Sequence, residues 1–211
     1  MKPIYYFLIG AVFLVTCGNR SPKESAQIAE EKTGPLFDLS AVPEEPVFDL
    51  KTSAGVMRIK LYKETPLHRD NFVKLVAEHY YDGIIFHRVI QGFMIQAGET
   101  GETPTEVQLK YGDEKSVNYN IPAEFVTGLT HKIGALAAAR MPDHLNPQKE
   151  SSGSQFYIVH SAEGCKHLDG NYTVFGEVID GFEVIDLIAG KPVNGSRPTE
   201  EVKIISITPV F

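Results

Sequence analysis

The sequence of 211 residues predicts a mainly β fold, an antiparallel barrel or sandwich whose ends are covered by two helices. Two observations lead to this prediction. Many short apolar stretches are separated by turn residues, and only two stretches space their apolar residues as a helix does. Hydrophobic residues make up 43% of the chain and charged residues 22%, which is ordinary for a globular domain with its own core.

The N-terminal residues have the features of a targeting segment. Lys2 supplies a positive charge, and residues 4–15 are almost wholly apolar but too short to span a ~30 Å hydrocarbon core comfortably. The sequence Leu-Val-Thr-Cys, ending at Cys17, resembles the lipobox of bacterial lipoproteins, with Thr where Gly, Ala or Ser is usual. We therefore expect a lipoprotein signal peptide at residues 1–16 and a lipidated Cys17. An ordinary signal peptide followed by an incidental cysteine is the alternative.

Residues 18–46 are predicted to be a tether. They hold four prolines and scattered charges with little apolar periodicity, so they bury too little surface to offset their ordering entropy. Residues 17–46 are thus expected to join a lipidated cysteine to a folded domain at residues 47–211. The expected location is outside the cytoplasm, with the lipid anchor in the bacterial cell envelope, facing the periplasm or in the outer membrane.

The elements of the domain are predicted in chain order. Two strands flank the turn at residues 53–55 as a hairpin. A helix begins at Pro66 with Thr65 as its N-cap, and its buried face includes Phe72 and His79. The later elements are strands at 84–90, 93–97, 133–139, 155–159, 173–178 and 202–208, a helix at 181–190 with Phe182, Ile185 and Ile188 inward, and polar stretches at 98–119 and 141–153.

Net charge and motif content argue against several functional classes. The formal charge of −7 makes nucleic acid an unfavourable partner. No HxxH spacing, phosphate-binding loop or nucleophile elbow is present, so no metal or cofactor is expected. With Cys17 acylated, Cys165 has no partner for a disulfide, and an unpaired loop cysteine is favoured over a thiol activated by Lys166 or His167. A monomer is the default expectation.

The most informative stretch is residues 86–96, Phe-His-Arg-Val-Ile-Gln-Gly-Phe-Met-Ile-Gln. Arg88 lies on one predicted strand, and Phe93, Met94 and Gln96 follow a Gln-Gly turn on the next. Together they are expected to line a groove that is apolar at one end and hydrogen-bonding at the other. Such a groove suits a peptide that carries a proline ring. Taken singly, the arginine would more often be a salt-bridged surface residue and the two apolar side chains would more often be core.

Four blocks of sequence, in this order, resemble the cyclophilin family of peptidyl-prolyl cis-trans isomerases. They are residues 86–96, Gly134–Arg140, Gly153–Ile158 and Leu168–Gly176. The resemblance extends over about Val47 to Val210 and is closest to the compact bacterial members. It implies a closed eight-stranded antiparallel β-barrel capped by two α-helices. It also implies an enzyme of class EC 5.2.1.8, which accelerates isomerisation of Xaa-Pro bonds in proline-containing polypeptides and assists the folding of exported proteins.

The resemblance also implies the roles of individual residues. Arg88 matches the catalytic arginine, which stabilises the transition state in an apolar groove without a covalent intermediate. Ten further residues match positions that bind the peptide: Phe93, Met94, Gln96, Ala139, Arg140, Gln155, Tyr157, His167, Leu168 and Tyr172. Phe93 and Met94 are expected to wall the proline pocket. Ala139 and Arg140 are expected to act through their main chain, so the Arg140 side chain should be tolerated where Asn is common.

Three further positions depart from the common pattern. Tyr157 stands where Phe is usual, so its hydroxyl needs a partner or solvent. His167 stands where many eukaryotic members have Trp, which implies weak cyclosporin binding, and Tyr172 stands where many have His. The departures at residues 157 and 167 leave a second function open, a peptide-binding or holdase module with little turnover.

Overall fold

The computed structural model describes residues 35–99 and 119–211, and these residues form a mainly β structure. The strands are β1 Val47–Thr52, β2 Gly55–Leu61, β3 Arg88–Ile90, β4 Met94–Ala97, β5 Asn120–Ile121, β6 Ala135–Ala138, β7 Ser151–Ser152, β8 Phe156–Val159, β9 Val174–Asp180, β10 Val193–Asn194, β11 Arg197–Pro198 and β12 Ile204–Pro209. The helices are α1 Pro66–Ala77 and α2 Phe182–Ala189. Neither of these helices is long and apolar enough to cross a membrane. Most of the polar stretch predicted at 98–119 lies outside the described residues.

Eight strands form one antiparallel sheet in the order β12-β1-β2-β9-β6-β8-β4-β3. The prediction of a closed barrel is wrong, because this order leaves β3 and β12 as two edges. The segment before β3 meets residues 202–204 through the isolated bridge between Ile85 and Lys203 and through main-chain hydrogen bonds such as Phe86 N–H to Val202 O at 2.9 Å, but β3 itself does not pair with β12. Strand β3 is three residues long, and its Val89 N–H donates to Ser196 O, at 2.7 Å, instead of to β12. The sheet is therefore an open half-barrel.

The central strands bury side chains on both faces of the sheet. All four residues of β6 and all four of β8 are buried, whereas β1 and β2 mostly alternate buried with exposed or half-buried positions. On β8, Phe156 and Ile158 enter the main core, while Tyr157 and Val159 enter a second, smaller cluster. This second cluster also contains Met94 and is packed by Phe93, Leu168 and Tyr172. One strand thus supports the core on one face and a candidate site on the other.

Helix α1 begins where the sequence predicts, but a different residue caps it. Thr65 occupies the N-cap position without a side-chain capping bond, and its buried Oγ1 has no hydrogen-bond partner. Glu124 supplies the cap instead, because its carboxylate accepts from the N–H groups of Leu67 and His68 at 3.0 Å each. A carboxylate is favoured there by the partial positive charge of a helix N-terminus.

Two expected inward residues lie elsewhere. Helix α1 ends at Ala77, so His79 follows the helix, with a φ of 58° and an ion pair to Asp82. Phe182 opens α2 and is 39% exposed, whereas Ile185 and Ile188 are buried as expected. The buried face of this helix begins at Val184 instead.

The predicted tether is too long at its C-terminal end. Residues 35–46 pack against the following domain, and Leu36 N–H donates to Ala77 O at 2.8 Å. The Phe37 ring lies 6.0 Å from that of Phe48 and 5.8 Å from that of Phe211. Burial of this aromatic side chain offsets the ordering of a segment that otherwise lacks apolar periodicity. Residues 1–34, with the predicted signal peptide and Cys17, lie outside the described residues.

Candidate functional site

A cross-strand row of side chains forms the base of the site. Arg88 on β3 lies opposite Gln96 on β4, which lies opposite Tyr157 on β8, which lies opposite Ala137 on β6. Residues directly opposite one another on antiparallel strands point to the same face of the sheet. The register therefore brings an arginine, an amide and an aromatic ring, distant in sequence, onto one surface.

Amide groups orient the guanidinium of Arg88. Its Nη1 donates to Gln96 Oε1 at 3.1 Å, and Gln96 Nε2 donates to Gln155 Oε1 at 3.0 Å. The same Nη1 lies 3.8 Å from the Met94 sulfur. Among the described residues, Arg88 Nε and Nη2 make no hydrogen bond, so they remain available to a ligand. Arginine keeps its charge and its planar set of donors under all physiological conditions.

These groups border a cavity of about 160 Å³, here called the Arg88 pocket. Its lining residues are Arg88, Phe93, Met94, Gln96, Ala139, Arg140, Tyr157, Leu168 and Tyr172. All nine belong to the set predicted from sequence. The other two predicted residues contact this lining: Gln155 through Gln96, and His167 by stacking on Phe93 with ring centroids 6.0 Å apart. A second cavity, of about 290 Å³, shares Tyr172 as a wall.

The hydroxyl of Tyr157 has a buried partner that sequence reasoning missed. It lies 2.9 Å from His131 Nε2, and His131 Nδ1 lies 2.7 Å from Asp169 Oδ1. The side chain of His131 is fully buried. Burial lowers the pKa of His131, against the opposing effect of its hydrogen bond to Asp169. The need of Tyr157 for a partner was the one sequence signal that pointed to this histidine.

Two buried histidines make stability depend on pH. Burial lowers the pKa of His68 and of His131 below the ordinary value of 6.5, so between the two values the unfolded chain binds more protons. The contribution of these two histidines to stability is fully present above about pH 6.5 and is lost as the pH is lowered. We expect each histidine to reduce the free energy of unfolding by up to about 1.4 kcal/mol per pH unit.

Urea unfolding at about pH 7.5 and about pH 5.5 measures this effect. A His68→Gln variant, which cannot gain a buried charge at that position, should show a shallower pH slope than the native chain. The same stability at both pH values would contradict the prediction.

The side chain of Arg140 is buried and makes more contacts than expected. It is 4% exposed and lies 4.4 Å over the Tyr172 ring, and its Nε donates to Asn171 O at 2.7 Å. An ion pair to Asp143, at 2.6 Å, holds its other end. The expectation that Arg140 acts only through its main chain is therefore incomplete, because the guanidinium also fixes the Tyr172 wall of the pocket.

The main chain beside the pocket is only partly available. Ala139 N–H donates to Gln155 O at 3.0 Å, and Ala139 O accepts from Ser152 N–H at 2.8 Å. The main-chain groups of Arg140 make no hydrogen bond within the described residues. Of the two residues expected to hold a peptide through their main chain, Arg140 is thus the one that offers free groups.

Other chemistry is not favoured by the described residues. Cys165 is unpaired and buried, and burial raises the pKa of its thiol, which disfavours the reactive thiolate. Among residues 35–99 and 119–211, no group of three His, Cys, Asp or Glu side chains is placed to hold a metal ion. The remaining feature is a half-buried cation beside an apolar pocket, with amide groups that orient it.

The fold and this pocket place an arginine beside apolar side chains in a cavity large enough for a small ring. Comparison with known proteins agrees. Residues 47–209 match the family described as cyclophilin type peptidyl-prolyl cis-trans isomerase/CLD, and the chain belongs to this family. It is accordingly an enzyme of the peptidyl-prolyl cis-trans isomerase class.

Similar proteins occur in animals and bacteria. "Peptidyl-prolyl cis-trans isomerase-like 3" of Gallus gallus is 37% identical over 165 residues, which cover 75% of this chain and 92% of that protein. "Peptidyl-prolyl cis-trans isomerase" of Acinetobacter baylyi is 37% identical over 168 residues, covering 75% and 82%. A crystal structure of a cyclophilin type isomerase from Cryptosporidium parvum, obtained in the presence of the dipeptide Ala-Pro, has a TM-score of 0.65 and 28% identity, with 78% and 99% covered.

Proposed function

We propose that this chain isomerises Xaa-Pro bonds of exported proteins, and that Arg88 stabilises the transition state. The observation that carries the proposal is the Arg88 guanidinium, held by Gln96 at the border of a pocket with apolar walls. The apolar walls include Phe93, Met94 and Leu168. They suit a proline ring, and the similar protein crystallised in the presence of Ala-Pro supports a proline-containing substrate.

The reaction needs stabilisation of a twisted amide. Rotation about the peptide bond has a barrier of ~18–20 kcal/mol because resonance is lost, and Xaa-Pro isomers interconvert in tens to hundreds of seconds. In the twisted state the amide nitrogen is pyramidal and has a free lone pair. A donor that reaches this nitrogen only in the twisted state lowers the barrier without tightening ground-state binding. The Nε and Nη2 groups of Arg88, which make no hydrogen bond to a described residue, are suitable donors, and no covalent intermediate is formed.

The pocket limits how freely the substrate moves. Gln96 and Gln155 offer hydrogen-bonding groups next to the guanidinium, and Arg140 offers main-chain groups that bond to no described residue. Anchoring one side of the prolyl bond by these groups leaves the other side to rotate. Holding the reacting bond beside its donor in this way lowers the entropic part of the barrier.

Exchange NMR on a short Xaa-Pro peptide tests this function. Catalytic amounts of the protein should produce cis–trans exchange cross-peaks that the peptide alone does not show, because uncatalysed exchange is too slow. Shifted peptide resonances without faster exchange would instead identify a binding or holdase module. The structure weakens the main reason for that second function, since the Tyr157 hydroxyl is satisfied by His131 and leaves the pocket floor aromatic.

We also propose weak cyclosporin binding. His167 is exposed and lies on Phe93 with an interplanar angle of 27°. An imidazole presents less apolar surface at this place than the indole found in many eukaryotic members, so it gains less from burial against an apolar ligand.

The lipid anchor is proposed from the sequence of the N-terminal segment. The chain has two cysteines, which provide a matched pair of variants. In bacteria fed a palmitate analogue, the native chain and Cys165→Ser should be labelled, whereas Cys17→Ser should not. Label retained in Cys17→Ser would exclude Cys17 as the acylated position.

A further inference from the structure

The floor of the Arg88 pocket is fixed from outside the pocket by a buried hydrogen-bonded chain. Tyr157 lines the pocket and is 5% exposed. The Tyr157 hydroxyl forms a hydrogen bond with His131 Nε2. His131 forms two hydrogen bonds with Asp169, because the main-chain N and the Nδ1 of His131 both lie within 2.8 Å of Asp169 Oδ1. His131 O accepts from Cys165 N–H at 2.7 Å, so main-chain bonds also hold the histidine.

The direction of each hydrogen bond follows from the groups present. An ionised carboxylate only accepts, so His131 Nδ1 carries the proton that is shared with Asp169. Burial alone would raise the pKa of Asp169, but the hydrogen bonds from His131 outweigh burial and lower it, so the carboxylate stays ionised. The neutral imidazole then has a lone pair at Nε2, and the Tyr157 hydroxyl must donate to it.

The charges around this chain favour the same arrangement. Lys166 acts on Asp169 and favours its anionic form, while His167 disfavours a positive charge on His131. Tyr157 and Cys165 are buried with raised pKa values and stay neutral. Among the described residues, His131 Nε2 is the hydrogen-bond partner of the Tyr157 hydroxyl.

We propose that His131 is a positioning residue for substrate binding, which accepts the Tyr157 hydroxyl and so keeps the floor of the Arg88 pocket apolar for a proline ring. This inference rests on the proposed function. Without an acceptor at residue 131, the hydroxyl is either buried without a partner or turned towards the pocket. Both outcomes weaken binding of an apolar ring, because an unpaired buried polar group is costly.

A double-mutant cycle tests this role. His131→Leu removes the acceptor and should raise the peptide dissociation constant roughly 5- to 30-fold, the range expected from loss of one buried hydrogen bond. His131→Gln, whose amide oxygen can accept, should lose less. In a Tyr157→Phe background, which has no hydroxyl, His131→Leu should change the dissociation constant by less than about twofold. His144→Gln, at an exposed histidine, is the control that should change nothing.

NMR lineshapes give the dissociation constant and the exchange rate of the bound peptide separately. A positioning role predicts that the dissociation constant changes and that the exchange rate of the bound peptide stays close to native. Since the cycle is read from binding, it gives its answer even if the native protein proves not to accelerate exchange. If His131→Leu weakened peptide binding as much in the Tyr157→Phe background as in the native chain, the proposal would be overturned.

A second measurement needs no variant at all. Long-range ¹H–¹⁵N correlation in the native protein should show that His131 is neutral and protonated at Nδ1. Protonation at Nε2 would remove the acceptor and overturn the proposal, even if His131→Leu fails to fold.

Discussion

In an Arg88→Ala variant, the cis–trans exchange of the bound peptide is expected to be roughly 10²–10³-fold slower, which is the cost of removing one well-placed donor to a transition state. Peptide affinity should change only a few-fold, because the apolar walls and the Gln155 amide remain. The fold should persist, since Arg88 is half-buried on the short edge strand β3 and the core is built from other residues. Exchange NMR under saturating peptide measures the effect.

Two arginine variants sharpen the result. Arg88→Lys keeps the charge but loses the planar set of donors, so it should recover only part of the rate. Arg58→Ala removes an arginine that pairs with Asp49 at 2.8 Å, with its side chain 42% exposed and no part in the pocket lining. It should leave both the exchange rate and the stability close to native, because an exposed ion pair contributes little. Native exchange in Arg88→Ala would exclude the proposed mechanism.

Replacing Phe72 with alanine should cause the largest loss of stability. The Phe72 ring is 2% exposed and contacts four other aromatic rings, those of Phe48, Tyr81, Phe156 and Phe175. These rings join α1 to the inner face of the sheet. We expect a loss of about 3–5 kcal/mol in the free energy of unfolding, as for other buried Phe→Ala changes. At roughly 2–4 °C per kcal/mol, the melting temperature should fall by about 6–20 °C.

Denaturant and thermal unfolding measure this loss. Phe125→Ala serves as the matched control, because Phe125 is 42% exposed and should cost less than about 1 kcal/mol. Phe72→Leu, which keeps most of the apolar volume, should fall between the two. A Phe72→Ala loss no larger than that of Phe125→Ala would show that the aromatic cluster does not carry the stability assigned to it.

Local pattern was sufficient where one segment decides its own structure. Apolar residues alternate through β2, so its strand and buried face follow from the sequence. Helix α2 lies between two glycines, at its N-cap and C-cap, and its C-terminal boundary is correctly predicted by Gly190. The pocket lining was predictable because four blocks of sequence resemble one family, whereas single residues such as Arg88 are ambiguous.

Several features that sequence analysis missed join distant segments. Glu124 caps a helix that begins 58 positions earlier, at Pro66, and His131 meets a tyrosine 26 positions away. Neither spacing has a period that local analysis detects. The predicted barrel closure failed for a related reason, since strand number does not reveal whether the two outer strands meet. Arg140 was underestimated because two of its partners, Asn171 and Tyr172, come from a separate loop.

The place of each pocket group in the sheet determines how it can move. Tyr157 lies on β8, flanked by β4 and β6, so its amide should exchange with solvent only when the whole domain opens. Arg88 lies on β3, which has β4 as its single neighbour in the sheet and can open locally at a lower free energy. Tyr157, under the proline ring, and Arg88, beside the prolyl bond, therefore lie in regions that differ in protection from amide exchange. Local opening of the three-residue strand β3 can let Arg88 move with the amide as it rotates, while Tyr157 keeps its position under the proline ring.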